Sequence, residues 1–199
     1  SLGGARPKAN VRDIDGELWI AKFASVNDLI DIGAWEHLAY VLAEKAGIDT
    51  APSKVLACGQ HHIFLVKRFD RKKGRRIHFA SAMTLLGLKD GDNASSGFGY
   101  LDIVEKIVQL CVNAQENLEE LYRRVAFSIC IGNSDDHFRN HGFLLTHKGW
   151  ELSPAFDMNP TMNRSQSLLI SDSSNAADLN VLLEAADDYM LTASKCSLL

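Results

Sequence analysis

The stretch SDDHFRN, residues 134–140, gathers side chains that can move protons and hold cations. Asp135 and Asn140 lie five residues apart. Phosphoryl-transfer loops use this separation for an aspartate that accepts a hydroxyl proton and an asparagine that binds magnesium. Further on, in AFDMNP, Asp157 follows an apolar residue, as a second magnesium ligand does in such proteins. The spacing predicts phosphoryl transfer, with Asp135 as the base and Asn140 and Asp157 as metal ligands.

A lysine in an apolar strand upstream is the predicted cation of the same site. Lys22 ends the run LWIAK, and burying its ammonium group without a partner would cost several kcal/mol. A nucleotide phosphate satisfies that charge, and Glu36 on the following helix is placed to orient the lysine. The opening SLGGARPKA has the composition of a loop whose backbone NH groups approach phosphates. VKRFD, residues 66–70, is the predicted hinge that meets adenine.

The first third of the chain must supply the strands that position Lys22. ANVRD and ELWIAKFA flank Asp15-Gly16 and predict a hairpin. Residues 34–45 show helical spacing, and Gly47 ends the pattern. The predicted buried face of this helix comprises Trp35, Leu38, Ala39, Leu42 and Ala46. SKVLAC and HHIFLVKRF, separated by Gly59-Gln60, predict a second hairpin. This part is therefore an antiparallel sheet with one helix.

The remainder of the chain is predicted to be mainly helical. Residues 101–112 and 117–131 carry apolar side chains three and four apart, with Asn117 as the predicted N-cap of the second helix. FLLTHKGWELS predicts a hairpin at Lys148-Gly149, and residues 176–190 predict a last helix. The fold class is α+β, with a β-rich N-terminal lobe over residues 1–70 and a helical catalytic lobe over 71–199. The seam between such lobes is where ligands tend to bind.

Composition limits the classes of function. The 199 residues are 46% hydrophobic and carry a formal net charge of −4, which does not indicate a nucleic-acid binder as a whole. Seven of the ten residues in KRFDRKKGRR are basic, which is more typical of a solvated hairpin than of a binding patch. No apolar run predicts a membrane span or a signal peptide, so we expect a cytoplasmic protein. The four cysteines form no CxxC pair and are expected to be reduced and mostly buried.

At these residues the sequence resembles the HipA-like serine/threonine kinases, the toxins of bacterial toxin–antitoxin pairs. SLGGARPKA is similar to the family's phosphate loop, IAKF to its ATP-lysine strand and VKRFDR to its hinge. NSDDHFRN is similar to its catalytic loop and AFDMNP to its metal-binding segment. The resemblance covers nearly the whole chain. It implies a two-lobed protein-kinase-like fold and an ATP- and Mg²⁺-dependent protein serine/threonine kinase core.

The resemblance also implies a role for each matched residue. The catalytic set would be Asp135, Lys22 and His137, and the magnesium ligands would be Asn140 and Asp157. The residues in contact with the nucleotide would be Gly3, Gly4, Ala5, Arg6, Pro7, Lys8, Lys22, Lys67, Phe69, His137, Arg139, Asn140 and Asp157. Ser1 matches a serine whose autophosphorylation ejects the phosphate loop and silences the enzyme. The loop has Arg6-Pro7 where Gln-Glu is more usual, and the hinge has Lys67 where an acidic residue is common.

The partners implied by the resemblance cannot be read from the residues themselves. The family phosphorylates aminoacyl-tRNA synthetases and pairs with a small helix-turn-helix antitoxin of the HipB type, which binds operator DNA. DNA would therefore be contacted only indirectly, through the antitoxin, although the basic run from Lys67 to Arg76 is a candidate for contact with its phosphates. No membrane partner is expected.

Three other readings of the residues stay open. Asp-x-His-x-x-Asn also resembles the catalytic loop of phosphoinositide kinases, which predicts a lipid substrate. A non-catalytic module would hold a nucleotide or a partner without turnover. A metal-dependent phosphohydrolase would use Asp135, Asp136 and His137, but the sequence offers no further ligands for a two-metal site.

Overall fold

A computed structural model describes residues 6–72, 74–161 and 163–196. The chain divides into two compact units, residues 1–77 and 78–199. The boundary that the sequence suggests, after residue 70, lies a few residues before this division. The first unit is rich in strands and the second in helices, which is the α+β, kinase-like organisation predicted from the sequence.

A four-stranded antiparallel sheet and one helix form the first unit. Strand order is β1-β2-β4-β3, and a short hairpin of β5 and β6 follows the sheet. Both hairpins predicted from the sequence are present, with turns at Gly16 and Gly59, whose φ angles are 79° and 63°. The elements are β1 (Lys8–Arg12), β2 (Leu18–Lys22), α1 (Ile32–Lys45), β3 (Ser53–Cys58), β4 (His61–Lys67), β5 (Arg71–Lys72) and β6 (Arg75–Arg76).

Helix α1 packs on the sheet with a face that is rotated from the predicted one and shares Ala39 with it. Trp35, Leu38 and Leu42 were expected to be buried, but they are 49%, 43% and 42% exposed. The buried residues are Glu36, Ala39, Tyr40 and Ala43. Small side chains let the helix axis approach the sheet, and Gly33 lies so near β4 that a Cβ there would be 2.2 Å from the carbonyl oxygen of His62. The expected face was therefore wrong because close approach and a buried carboxylate outweigh apolar area.

The second unit combines helices with a three-stranded sheet of order β7-β8-β9. The hairpin predicted at Lys148-Gly149 joins β8 to β9. Two 3₁₀ turns, Ala94–Ser96 and Ala186–Tyr189, complete the unit. Its elements are β7 (His78–Ser81), α2 (Ala82–Leu86), α3 (Tyr100–Leu110), α4 (Ala114–Ile131), β8 (Gly142–Leu145), β9 (Trp150–Leu152), α5 (Leu179–Glu184) and α6 (Ala193–Cys196).

The core of this unit forms where α3 and α4 pack together. Four residues of the predicted stripe of α4, Leu118, Leu121, Tyr122 and Val125, are buried, and Ile129 packs against them. Asn117 is not the N-cap: α4 begins at Ala114 with Asn113 as its cap. Asn117 is instead part of the first turn of α4, and its side-chain oxygen accepts a hydrogen bond from the backbone N–H of Leu152 over 2.7 Å. A buried amide thus ties α4 to β9.

Two further expectations need correction. The single last helix predicted over residues 176–190 is two short pieces, α5 and the 3₁₀ turn that follows it. Met190, with φ of 57°, ends the second piece. All four cysteines are free thiols, but Cys58 and Cys130 are exposed, so only Cys111 and Cys196 fit the expected burial. Across the described residues, no helix has the length and apolar character needed to cross a bilayer.

Candidate functional site

Lys22 forms an ion pair with Glu36 in the first unit. Strand β2 carries the lysine, α1 carries the carboxylate, and Nζ lies 2.5 Å from Oε1. The two side chains are 12% and 2% exposed. Nζ also lies 5.8 Å from the ring centroid of Phe64, on the neighbouring strand β4. The pairing suggested by the sequence is present, and it holds the ammonium group at a fixed place on the sheet.

The predicted phosphate loop is described only from Arg6 onward. Arg6 donates two hydrogen bonds to Asp28, each 2.8 Å long, and the Pro7 carbonyl accepts one from the N–H of Phe23. Lys8 is not in a loop: it is the first residue of β1 and stands opposite Lys22 in the strand pair. The predictions for Ser1, Gly3, Gly4 and Ala5 concern residues outside the part of the chain that the structure describes. The end of the loop is thus fastened beside the lysine strand.

The predicted hinge has backbone groups that are already engaged. The N–H of Lys67 donates to the Pro52 carbonyl over 2.8 Å, and that of Arg68 donates to Leu18 over 2.9 Å. The Lys67 ammonium pairs with Glu17 at 3.0 Å. A nucleotide base that binds here would therefore have to use groups other than these two N–H donors. The contact of Lys67 and Phe69 with adenine stays a prediction.

The loop that follows α4 presents Asp135 outward and turns Asn140 inward. Asp135 is exposed, whereas Asn140 is only 8% exposed. The Asn140 amide Nδ2 donates to the backbone oxygen of Asp135 over 3.2 Å, and its N–H donates to the His137 carbonyl over 2.8 Å. These bonds close the loop into one turn. They also leave the carbonyl oxygen of the Asn140 side chain as its cation-binding atom.

Asp136 anchors this loop to the helical core, a role that was not predicted, since the sequence suggested it only as a ligand in the phosphohydrolase reading. Its carboxylate accepts hydrogen bonds from the hydroxyls of Tyr100 (2.8 Å, on α3) and Ser128 (3.3 Å, on α4). His141 Nε2 lies 3.0 Å from the other carboxylate oxygen. Among the described residues, neither ring nitrogen of His141 has a hydrogen-bond partner in aligned geometry.

The electrostatics of this cluster keep the carboxylate ionised. Burial raises the pKa of Asp136, but positive charge on His141 and the hydroxyl donors outweigh burial, so the pKa lies below its ordinary value. Burial and the adjacent carboxylate raise the pKa of Tyr100 well above its ordinary value. Tyr100 therefore keeps its proton and donates a hydrogen bond to Asp136. The only sequence signal for this cluster was the position of Asp136 and His141 directly after Asp135 and Asn140.

Asp157 has an unusual backbone conformation, and its segment is hydrogen-bonded to Gly132, at the start of the loop that follows α4. Its φ is 61°, in the left-handed region that non-glycine residues seldom adopt. Thr161, further along the segment, donates its N–H (3.0 Å) and hydroxyl (2.5 Å) to the Gly132 carbonyl. A Cβ at Gly132 would lie 2.4 Å from the Thr161 oxygen, so only glycine allows this approach. Strained backbone of this kind is concentrated at functional sites.

His137 and Arg139 lie beside a cavity of about 170 Å³ that Asp135 also lines. Nδ1 of His137 is buried and has no hydrogen-bond partner among the described residues. Arg139 Nη2 lies 2.5 Å from Asp90 Oδ1. The structure thus places His137 and Arg139 on the loop predicted from the sequence. It pairs Arg139 with Asp90, for which no role was predicted.

The oxygen atoms of Asn140 and Asp157 fit a magnesium ion that is carried by a nucleotide. Magnesium prefers oxygen ligands and uses one or two protein groups together with substrate phosphates. Among the residues that the structure describes, no three His, Cys, Asp or Glu side chains form a group that could hold a metal. Asp136, required by the phosphohydrolase reading, is committed to Tyr100, Ser128 and His141. The donor set therefore suits a phosphate-borne cation.

Sequence comparisons relate the chain to kinases. Residues 1–197 match the model of the family described as the HipA-like C-terminal domain. The chain is 24% identical over 183 residues to the serine/threonine-protein kinase toxin HipA of Shewanella oneidensis, with 79% of this chain and 42% of the relative covered. The chain spans less than half the length of the curated relatives that it matches.

Solved structures show the same fold. A complex of HipA, HipB and operator DNA from Shewanella oneidensis superposes with a TM-score of 0.81 at 19% identity, covering 98% of this chain and 54% of that one. The proinflammatory kinase CtkA of Helicobacter pylori gives a TM-score of 0.60 at 15% identity, covering 92% and 62%. At these identities the likeness concerns the fold.

Proposed function

Because the chain belongs to the HipA-like C-terminal domain family, we propose that it is the catalytic core of an ATP- and Mg²⁺-dependent protein serine/threonine kinase. The observation that carries this proposal is the loop from Asp135 to Asn140. It presents the exposed carboxylate of Asp135 and, five residues on, the buried side-chain amide of Asn140. That amide donates a hydrogen bond to the backbone oxygen of Asp135. Phosphoryl transfer depends on positioning and charge neutralisation, which such a loop supplies.

The reaction assigns one task to each residue. Asp135 accepts the proton of the substrate seryl hydroxyl while the Oγ of that serine bonds to the γ-phosphorus of ATP. The bond between that phosphorus and the β,γ-bridging oxygen breaks, and ADP leaves with the electron pair. Lys22, held by Glu36, binds the phosphates. Asn140 and Asp157 would hold Mg²⁺, which when bound would supply positive charge against the phosphate oxygens.

Further assignments follow from the family. His137 and Arg139 contact the nucleotide, as do residues Gly3–Lys8 and the hinge from Lys67 to Phe69. Autophosphorylation at Ser1 silences the enzyme. The substrate is a protein serine, with aminoacyl-tRNA synthetases as the substrate class. The partner is a HipB-type antitoxin, through which the kinase reaches DNA; the related HipA structure contains both HipB and operator DNA.

Labelled ATP with magnesium and a bacterial extract tests the proposal. We expect labelled protein with the wild type, and a loss of about a hundredfold or more with Asp135→Asn, because a general base contributes at least that much. Asp135 is exposed, so the variant should retain its fold. Asp157→Asn should lose magnesium-dependent ATP affinity. Equal labelling by the wild type and by Asp135→Asn would refute this assignment, and magnesium-dependent ATP binding without any transfer would indicate a non-catalytic module.

A further inference from the structure

The cavity of about 170 Å³ beside Asp135 lies wholly within the second unit. His137 and Arg139, which are assigned above to the nucleotide, line part of it, but the part formed by residues 89–93 has no assigned occupant. Its wall includes the catalytic loop on one side and the turn of residues 89–93 on the other. The lining side chains that carry a formal charge are Lys89, Asp90, Asp92, Asp135 and Arg139, and the imidazole of His137 and the hydroxyl of Ser167 also line the cavity. Any group in this cavity would have the proposed base as a neighbour.

We infer that this cavity receives the acceptor serine of a polypeptide and selects against acceptors with negative charge next to that serine. The inference rests on the proposed function and deepens it, since it names the residues that recognise the substrate. The seryl Oγ would enter beside Asp135, which takes its proton while the oxygen bonds to the γ-phosphorus of ATP and ADP departs.

The walls of the cavity are fixed relative to the base. The Asp92 carboxylate accepts the Lys89 N–H over 2.7 Å and closes the turn. Next to the turn, the N–H of Ala94 donates to the Ser167 carbonyl over 2.9 Å. Ser167 in turn donates its hydroxyl to the carbonyl of Ser134, the residue before Asp135, over 2.8 Å. A chain of hydrogen bonds therefore connects the far wall to the catalytic loop.

The volume of the cavity favours an amino-acid side chain over a lipid headgroup. A cavity of about 150 Å³ is known to hold one benzene molecule. An inositol ring with a hydroxyl on each carbon has about twice as many heavy atoms as benzene, and small-molecule sites usually exceed about 300 Å³. A serine with part of its neighbour fits the observed 170 Å³.

The charge of the lining agrees with this choice. Three carboxylates, Asp90, Asp92 and Asp135, face two cations, Lys89 and Arg139, so the formal charge is −1. Arg139 is moreover paired with Asp90 at 2.5 Å. A phosphoinositide headgroup or a serine flanked by glutamate would meet like charge here. A serine flanked by lysine or by neutral residues would not.

A matched pair of double variants tests the inference. Asp90→Asn/Asp92→Asn removes two charges from the cavity and keeps one acceptor oxygen in each of the two side chains. Asp187→Asn/Asp188→Asn removes two charges from exposed residues of the 3₁₀ turn at 186–189. The acceptors are synthetic peptides with one serine flanked by Lys, Ala or Glu, and phosphatidylcholine vesicles that contain phosphatidylinositol. KM for each acceptor and KM for ATP are measured.

With the wild type, we expect the Lys-flanked peptide to have the lowest KM and the vesicles to remain unlabelled. The cavity variant should lower KM for the Glu-flanked peptide and raise it for the Lys-flanked one, each by about threefold to tenfold, whereas KM for ATP should shift by the same factor with both peptides. The Asp187/Asp188 control should resemble the wild type. Lys89→Glu, at an exposed position, should shift both peptide KM values in the opposite direction and provides a second test if the double variant does not fold.

Three outcomes would overturn the inference. If phosphate is transferred to peptides but the peptide KM values shift equally from the wild type in the cavity variant and in the Asp187/Asp188 control, the acceptor binds elsewhere. The kinase proposal would then remain intact. Labelling of phosphatidylinositol instead of peptides would make a lipid the occupant. Absence of transfer by the wild type to every acceptor would refute the proposed function, and the inference with it.

Discussion

Asp136 and His141 contact each other across the turn that they enclose, with Nε2 of His141 3.0 Å from a carboxylate oxygen of Asp136. Each directly follows a proposed functional residue, Asp135 and Asn140 respectively. The contact is buried, at 4% and 3% exposure. The separation between the proposed base and the proposed metal ligand is therefore set by a buried side-chain contact as well as by the chain between them.

Replacement of Asp136 should reduce stability, whereas replacement of its neighbour should not. Asp136→Ala leaves the Tyr100 and Ser128 hydroxyls and His141 without their carboxylate, so we expect the free energy of unfolding to fall by about 3 kcal/mol. Asp135→Ala, at an exposed position, should change it by less than about 0.5 kcal/mol and yet abolish phosphoryl transfer. Urea unfolding with kinase assays measures both. Similar stability losses in the two variants would contradict the anchoring role of Asp136.

The Lys22–Glu36 pair allows stability and activity to be separated. Glu36→Ala removes the carboxylate from a lysine that is 12% exposed, and we expect a loss of about 3 kcal/mol in unfolding free energy. Lys22→Met/Glu36→Leu removes both charges and should restore stability to within about 1 kcal/mol of the wild type. Neither variant should transfer phosphate. A stable and active double variant would show that Lys22 does not bind the nucleotide phosphates.

Gly33→Ala should destabilise the protein although alanine favours helices. Helix propensity alone predicts a gain of about 1 kcal/mol. The added Cβ would lie 2.2 Å from the His62 carbonyl oxygen, which belongs to backbone that cannot swing away, so we expect a net loss of about 1–3 kcal/mol. Ala34→Gly is the matched control, with a loss of about 1 kcal/mol from propensity. A Gly33→Ala variant as stable as the wild type would mean that α1 does not approach β4 this closely.

The Asp70 carboxylate should contribute stability that disappears in acid. It accepts hydrogen bonds from Arg68 Nε (2.8 Å) and Nη2 (2.7 Å) and also contacts Arg71. Burial raises its pKa, but the hydrogen bond from Arg68 and the two positive charges outweigh burial, so the pKa lies below its ordinary value.

Because the folded state favours ionised Asp70, this contribution is complete above the unfolded pKa of about 4 and is lost as the pH falls through the lower folded value. At neutral pH, Asp70→Asn should lower the unfolding free energy by about 1 kcal/mol. The difference from the wild type should shrink below about pH 4. Urea unfolding at several pH values measures it, with Asp187→Asn as the control. A difference that grows in acid would have the wrong sign.

The contrast between the Asp135 loop and α1 shows which features could be predicted from the sequence. Asp135 and Asn140 act through a fixed local spacing, so their relation could be read directly. The face of α1 could not, because Glu36 is buried by its pairing with Lys22, fourteen residues away. Apolar periodicity favoured Trp35, Leu38 and Leu42. The expected pairing of Glu36 with Lys22 did not by itself indicate that the carboxylate would be buried, and no local pattern reports the close approach at Gly33.

The cluster around Asp136 is the clearest omission for the same physical reason. Tyr100 is thirty-six residues from Asp136, and only the packing of α3 against the loop brings them together. The N-cap of α4 was misplaced because Asn117 bonds to a strand formed much later in the chain. Polar side chains that bond over long sequence distances leave little trace in local composition.

The backbone at Asp157 also decides how an inactive form of this protein is best prepared. With φ at 61°, alanine would add about 1–2 kcal/mol of conformational strain, so the loss of the carboxylate would be confounded with a displaced segment. Asparagine tolerates this region as aspartate does and changes only the charge. Asp157→Asn is therefore the substitution that removes the charge of the proposed magnesium ligand without distorting its segment, so that a loss of ATP affinity can be assigned to the carboxylate itself.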